Sequence, residues 1–433
     1  MVNNFIDRCS FLIFIISGSI IVLPELSFAV FITPTNFVKI NSYLSIPDSI
    51  NIKMAMFLYL LMTIIILVVK REQIPIIPKR LIIAYMSFLV VMIWSLLWTP
   101  DLQYGLLKSL EFVFLTSLAC FAPFFLFREE KVFNRFIMTL VVISAFLSVF
   151  VFIAKPYSFL EADIEAVKFD TVLGGNYILM QYVTGMASLG IIYHLFYKEN
   201  SRIVRTIYFV LTLIFLATLM YSSGKSSIIS FFLTVLFMFF MSVKRNGAVL
   251  SFKRKYFRIG FIVLLVGAVF MMSIGWVFVT RTKALSTPDY YGRVERLSNA
   301  KIALDLFLEN PLRGVGIGGF NMYSIQMEDI EKFKYPHNIL LEVMSELGMV
   351  GLALFLFILG SALKNLLYLK RKYWHSHFDT LPNVVISFLL FTFLMAMTSG
   401  NITNLALFAL MGMAYSVENL IKKESREIEC VSG

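Results

Sequence analysis

The sequence predicts an all-α integral membrane protein of about twelve transmembrane helices. Three observations carry that expectation: a composition too apolar for water, apolar runs of membrane-spanning length from end to end, and basic residues that alternate in step with those runs. Of the 433 residues, 59% are hydrophobic and only 15% charged, whereas a soluble chain carries about 25% charged residues to cover its surface. Length alone would suggest two or three soluble domains, but the recurring runs favour a single polytopic membrane domain over 1–433.

The runs fall near residues 11–32, 53–69, 81–98, 109–127, 136–154, 172–196, 203–221, 226–243, 258–279, 338–363, 383–398 and 402–420. Each is long enough to cross a hydrocarbon core. The first is interrupted by Pro24-Glu25, which predicts a bent or re-entrant segment. A cleaved signal peptide is the rival reading there, from Arg8, the apolar run and Ser27-Phe28-Ala29.

Lysine and arginine in short loops stay on the cytoplasmic side. With both termini inside, the inner segments hold 24 of the 38 basic residues, among them Lys70, Arg71, Lys79 and Arg80, then Lys244, Arg245, Lys253, Arg254, Lys255 and Arg258. Eight of the 14 outer ones sit in one long segment, 280–337. The net charge of +11 is therefore mostly topology. A nucleic-acid partner is not expected, because the charges are dispersed over short inner loops with no reader motif. Cys9, Cys120 and Cys430 offer neither an outer pair for a disulfide nor a metal-ligand spacing.

Connections are short except at 280–337, and a long ordered loop in a compact protein usually carries function. Gly292 to Leu308 reads as an amphipathic helix with Leu297, Ala300, Leu304 and Phe307 on one face, stopped by Asn310-Pro311. Arg293 heads that stripe and is expected to face the membrane domain, with Arg296 beside it; a headgroup-facing arginine is the alternative. The following Gly314-Val315-Gly316-Ile317-Gly318-Gly319 has no preceding strand and no ribose-binding carboxylate, so it reads as a tight turn rather than a nucleotide loop.

Pro336-His337-Asn338 closes the loop, and the next helix carries Asn338, Glu342 and Ser345 on one side. Polar groups in a span normally face a bundle interior or a cavity. His337 at a helix N-terminus is expected to be neutral at pH 7 and able to accept a proton, with a capping role as the alternative. The polar turn 222–227, with Lys225, suits an anion at the membrane surface, although such turns are common. Two acidic groups, Glu161, Asp163, Glu165 and Glu328, Asp329, Glu331, lack a defined metal spacing, so no metal or cofactor is expected.

Three stretches resemble the O-antigen ligase and polymerase superfamily: SSGKSS at 222–227, GRVERLSNAKIALDLFLENPLRGVGIGGF at 292–320 and PHNILLEVMSELGMVG at 336–351. The architecture agrees over nearly the whole chain, the motifs over about 60 residues. The resemblance implies metal-independent, inverting glycosyl transfer from an undecaprenyl-diphosphate-linked oligosaccharide at the outer face of the bacterial inner membrane. It implies a glycan acceptor for a polymerase, to which the Gly-rich stretch inclines the reading, or a lipid A core acceptor for a ligase. It also implies neighbours in polysaccharide assembly, such as a flippase and a chain-length regulator. Carried over to this chain, Arg293 and Lys225 would neutralise the leaving diphosphate and His337 would take the hydroxyl proton, with Arg296, Asn338 and Glu342 binding substrate. The family usually has arginine where this chain has Lys225, a point charge rather than a planar fork. A polytopic transporter is the reading from another class.

Overall fold

The computed structural model describes residues 75–154, 177–197, 201–221, 225–242, 244–246, 249–251, 289–325, 335–373 and 380–432, with scattered positions elsewhere. The helices are α1 (Lys79–Trp94), α2 (Leu102–Glu111), α3 (Ser117–Leu126), α4 (Glu130–Ala154), α5 (Tyr177–Tyr197), α6 (Arg202–Tyr221), α7 (Lys225–Ser242), α8 (Asp289–Glu309), α9 (Phe320–Ile325), α10 (Ile339–Lys372), α11 (Thr380–Ser399) and α12 (Leu405–Ser432). A 3₁₀ turn, Ser95–Leu97, extends α1, and a π turn, Phe112–Thr116, joins α2 to α3 as one span. The expectation of an all-α fold is met apart from one antiparallel hairpin, Lys244–Asn246 with Val249–Ser251.

Seven helical segments among the described residues are long and apolar enough to cross a membrane: Lys79–Leu97, Leu102–Leu126, Glu130–Val149, Arg202–Leu219, Ile339–Lys372, Thr380–Ser399 and Leu405–Ser425. A multi-pass membrane protein follows from their number and hydropathy. The expected spans at 11–32, 53–69 and 258–279 lie outside the described residues, apart from scattered helical positions. The one expected at 172–196 is α5, which is buried on every side from Met180 to His194 and packs between α4, α6 and α11. Three of its polar groups are hydrogen-bonded within the bundle: Ser144 donates to Thr184 at 3.1 Å, Ser188 to the Thr184 carbonyl at 2.7 Å, and Asn404 to the Tyr182 hydroxyl at 3.2 Å.

Two expectations are corrected. The span expected at 109–127 begins earlier, at Leu102, where its helix is capped by Asp101, whose Oδ1 accepts from the Tyr104 N–H at 3.0 Å. Lys108 is thereby drawn into the bundle and is not a loop charge. On α8, the leucines of the stripe expected to face the membrane domain point away from it, Leu297 72% exposed and Leu304 43%, while Ala300 and Phe307 are half-buried. The face that packs on α10 is Ile302, Ala303 and Leu306, with Leu341, Val315 and Phe320. The helix has apolar residues on two sides, and periodicity locates both without saying which one meets protein.

Candidate functional site

The site is built around a break in α10. Gly348 has φ 64° and ψ −162°, so the helix cannot pair Met349 N–H with the Ser345 carbonyl or Val350 N–H with the Glu346 carbonyl. Buried backbone groups need partners, and the Gly-rich loop supplies all four. Met349 donates to the Pro311 carbonyl at 2.8 Å and Val350 to Leu312 at 3.4 Å, while Val315 donates to Ser345 and Gly316 to Glu346, each at 2.9 Å. This exchange binds the stretches 292–320 and 336–351 into one unit.

The same loop closes onto the end of α1. Ile317 N–H donates to Ser95 Oγ at 3.0 Å, Thr99 donates to the Ile317 carbonyl at 2.8 Å, and Trp98 Nε1 to the Gly314 carbonyl at 3.2 Å. Gly316 shows why glycine stands there: φ is 94°, and an added Cβ would lie 2.6 Å from Thr99 Cα. Asn321 donates to Asp101 Oδ2 at 2.9 Å and fixes the loop's far end. The loop thus spends its backbone on protein, as a set of tight turns rather than a nucleotide cradle.

Beneath it lies a buried charge cluster. Lys108 of α2 donates to both oxygens of Glu346, at 2.9 and 2.7 Å, and pairs with Glu342 Oε1. Glu342 Oε2 accepts from the Ile402 N–H at 2.7 Å, tying the connection between α11 and α12 to the same point. Both carboxylates are fully buried. Burying charge is costly unless it is paired and hydrogen-bonded, and here one ammonium joins three parts of the bundle.

At the mouth of α10, Asn338 is the N-cap, its Oδ1 accepting from Leu340 and Leu341 N–H at 3.0 and 3.1 Å. His337, immediately before it, has φ 55°, a left-handed conformation uncommon outside glycine. Strained residues of this kind gather at functional sites. Its ring lies against Tyr335, centroids 4.5 Å apart. Burial first, and the nearby Arg296 guanidinium second, push its pKa from 6.5 down to about 4. The imidazole is neutral at pH 7, as expected from the sequence, but burial and Arg296 hold it so.

Of the six candidates, His337 and Arg296 are brought together across the space between α8 and α10, and Asn338 stands beside them. Glu342 belongs to the charge cluster. Lys225 opens α7 and Arg293 lies near the start of α8, both as helical backbone; their side chains lie outside the described residues, as do both acidic groups. Three residues escaped the sequence reading. Lys108 and Glu346 were signalled only by a lone cation near a span and by two glutamates four apart. Asn299, one turn after Arg296, is buried with no partner for its Nδ2 among the described residues.

The fold and site thus define a multi-pass helical membrane protein with a charged, partly open site at one end of its bundle. Residues 209–356 match the family model for O-antigen ligase, and all six candidates fall within that stretch. The match bears out the resemblance to the O-antigen ligase and polymerase superfamily and supports an activity of that general type. Comparison with curated proteins gives no match.

Proposed function

We propose that the chain is an inverting, metal-independent membrane glycosyltransferase that polymerises lipid-linked polysaccharide repeat units at the outer face of the bacterial inner membrane. The observation that carries this reading is a neutral, half-buried His337 in a strained turn, beside Arg296 and within the stretch that matches the ligase family. In the reaction the acceptor hydroxyl oxygen attacks the anomeric carbon as the bond from that carbon to the diphosphate oxygen breaks. Undecaprenyl diphosphate leaves with the bonding electrons, and the hydroxyl proton passes to His337. Arg293 and Lys225 are the cations for the charge that grows on the leaving diphosphate, and Arg296 contributes to holding the donor. Asn338 and Glu342 are reassigned from substrate contact to holding the site, since the cap engages the Asn338 oxygen, and Lys108 and Ile402 engage Glu342.

The orientation, with 280–337 outside and both termini cytoplasmic, rests on the alternation of basic residues. A ligase acting on lipid A core is the second reading, favoured by the wording of the matched family. Gene deletion separates the two. Loss of a polymerase should leave single repeat units on the lipid A core; loss of a ligase should leave the core bare while long carrier-linked polymer accumulates. Substrate crossing proteoliposomes with no glycosidic bond made would instead favour a transporter.

A further inference from the structure

Helix α8 has two apolar faces, and the bundle covers one of them. Leu297, Leu304 and Leu308 point outward, and Leu312, just past the helix, continues their line at 71% exposure. Lys301, Asp305 and Glu309 flank them and are also exposed. A contiguous apolar stripe of this kind is not normally left in water.

Its depth follows from the break in α10. Pro311 and Leu312 are bonded to Met349 and Val350, themselves about half exposed, at the start of the segment that follows Gly348. That segment runs for about two dozen residues, roughly 36 Å of helix, enough to cross a hydrocarbon core of about 30 Å. It ends in Lys370, Arg371 and Lys372, so Met349 and Val350 mark the opposite boundary of the core. A second marker lies at the same level. Trp94 and Trp98 are 6.1 Å apart, the Arg313 guanidinium stands 5.7 Å from the Trp98 ring, and Leu97 beside them is exposed. Tryptophan and arginine together are typical of the membrane–water boundary.

We propose that the Leu297–Leu304–Leu308–Leu312 stripe lies in the interfacial layer of the bilayer, continuous with the lipid-facing surface of the spans. Lipid is its partner: acyl chains meet the leucines, and Lys301, Asp305 and Glu309 stay at headgroup level. The helix is buried on both sides, by protein and by lipid. On the reading proposed above, a donor anchored in the same leaflet reaches Arg296 without leaving the membrane.

The test uses full-length protein with Cys9, Cys120 and Cys430 replaced by alanine, carrying Leu304→Cys, Leu308→Cys or Asp305→Cys, with Leu297→Cys as a spare reporter. Each is labelled with an environment-sensitive fluorophore and reconstituted in phosphatidylethanolamine–phosphatidylglycerol vesicles, after gel filtration confirms folding. At 304 and 308 the expected result is blue-shifted emission, quenching by shallow doxyl lipids and protection from aqueous iodide, with the reverse at 305. Iodide quenching at 304 and 308 equal to that at 305 would put the stripe in water and overturn the proposal. Protection from both quenchers would overturn it too, by showing a protein cover. Neither readout depends on catalytic activity, so failure here leaves the proposed reaction standing.

Discussion

Two charged centres lie five residues apart on the same stretch of chain, and they are built differently. At Glu342 and Glu346 two buried carboxylates share one ammonium, Lys108, and Glu342 also accepts from the Ile402 N–H. At His337 the ring is held neutral in a strained turn beside Arg296. A buried cluster whose members come from separate elements and pair with one another holds those elements together. A partly buried group with a displaced pKa is poised for chemistry. On the proposed function, the deeper centre holds the elements together and the mouth carries the reaction.

Substitution at the mouth should give the largest effect on rate. His337→Ala removes the proposed base and should cost about 10² to 10⁴ in turnover of a lipid-linked glycan by purified protein, with gel filtration unchanged. At the deeper centre the loss should appear in folding. Lys108→Ala leaves two buried carboxylates without their cation, and removing one partner of a buried pair costs about 3–5 kcal/mol, to be read as a lower midpoint of thermal unfolding in detergent. Lys108→Met combined with Glu342→Gln and Glu346→Gln should recover much of that midpoint, because it removes the unpaired charge. A triple variant as unstable as Lys108→Ala would break the assignment of the cluster to architecture.

Smaller effects sharpen the picture. Gly316→Ala forces a positive φ on a residue with a Cβ, against Thr99 backbone, and should destabilise by about 1–3 kcal/mol. It would also loosen the loop from α10 and lower turnover. Arg296→Ala should be the mildest, within about fivefold in rate, since an exposed charge contributes about 0–1 kcal/mol. It should nevertheless raise the His337 pKa by removing a nearby positive charge, which a histidine-resolved NMR titration would show.

Much of this was legible in the sequence because it depends on local pattern. Apolar run length located the spans now seen as α1, α4, α6, α11 and α12, and the Pro336-His337-Asn338 junction marked the start of α10. The tight turns at Gly314, Gly316 and Gly318 were readable from their glycines. What escaped depends on contacts between distant parts of the chain. Lys108 meets Glu346 across 238 positions, and a lone lysine beside a span looks the same whether it ends in water or in a buried pair. The face of α8 escaped because protein and lipid both accept leucine. The pairing of the Gly-rich loop with α10 escaped because backbone hydrogen bonds leave little trace in side-chain identity.

Whether neutral His337 is the base is read from the pH dependence of glycan transfer in wild type and in the residual activity of His337→Gln. A base works when unprotonated, so activity falls as pH drops through its pKa. In the free protein that lies at about 4, and the acid limb of kcat/KM should appear there. A bound diphosphate favours the protonated ring and should raise the value, moving the acid limb of kcat to higher pH. Both limbs should vanish in His337→Gln; the same acid limbs persisting in that variant, at near-normal turnover, would contradict a histidine base.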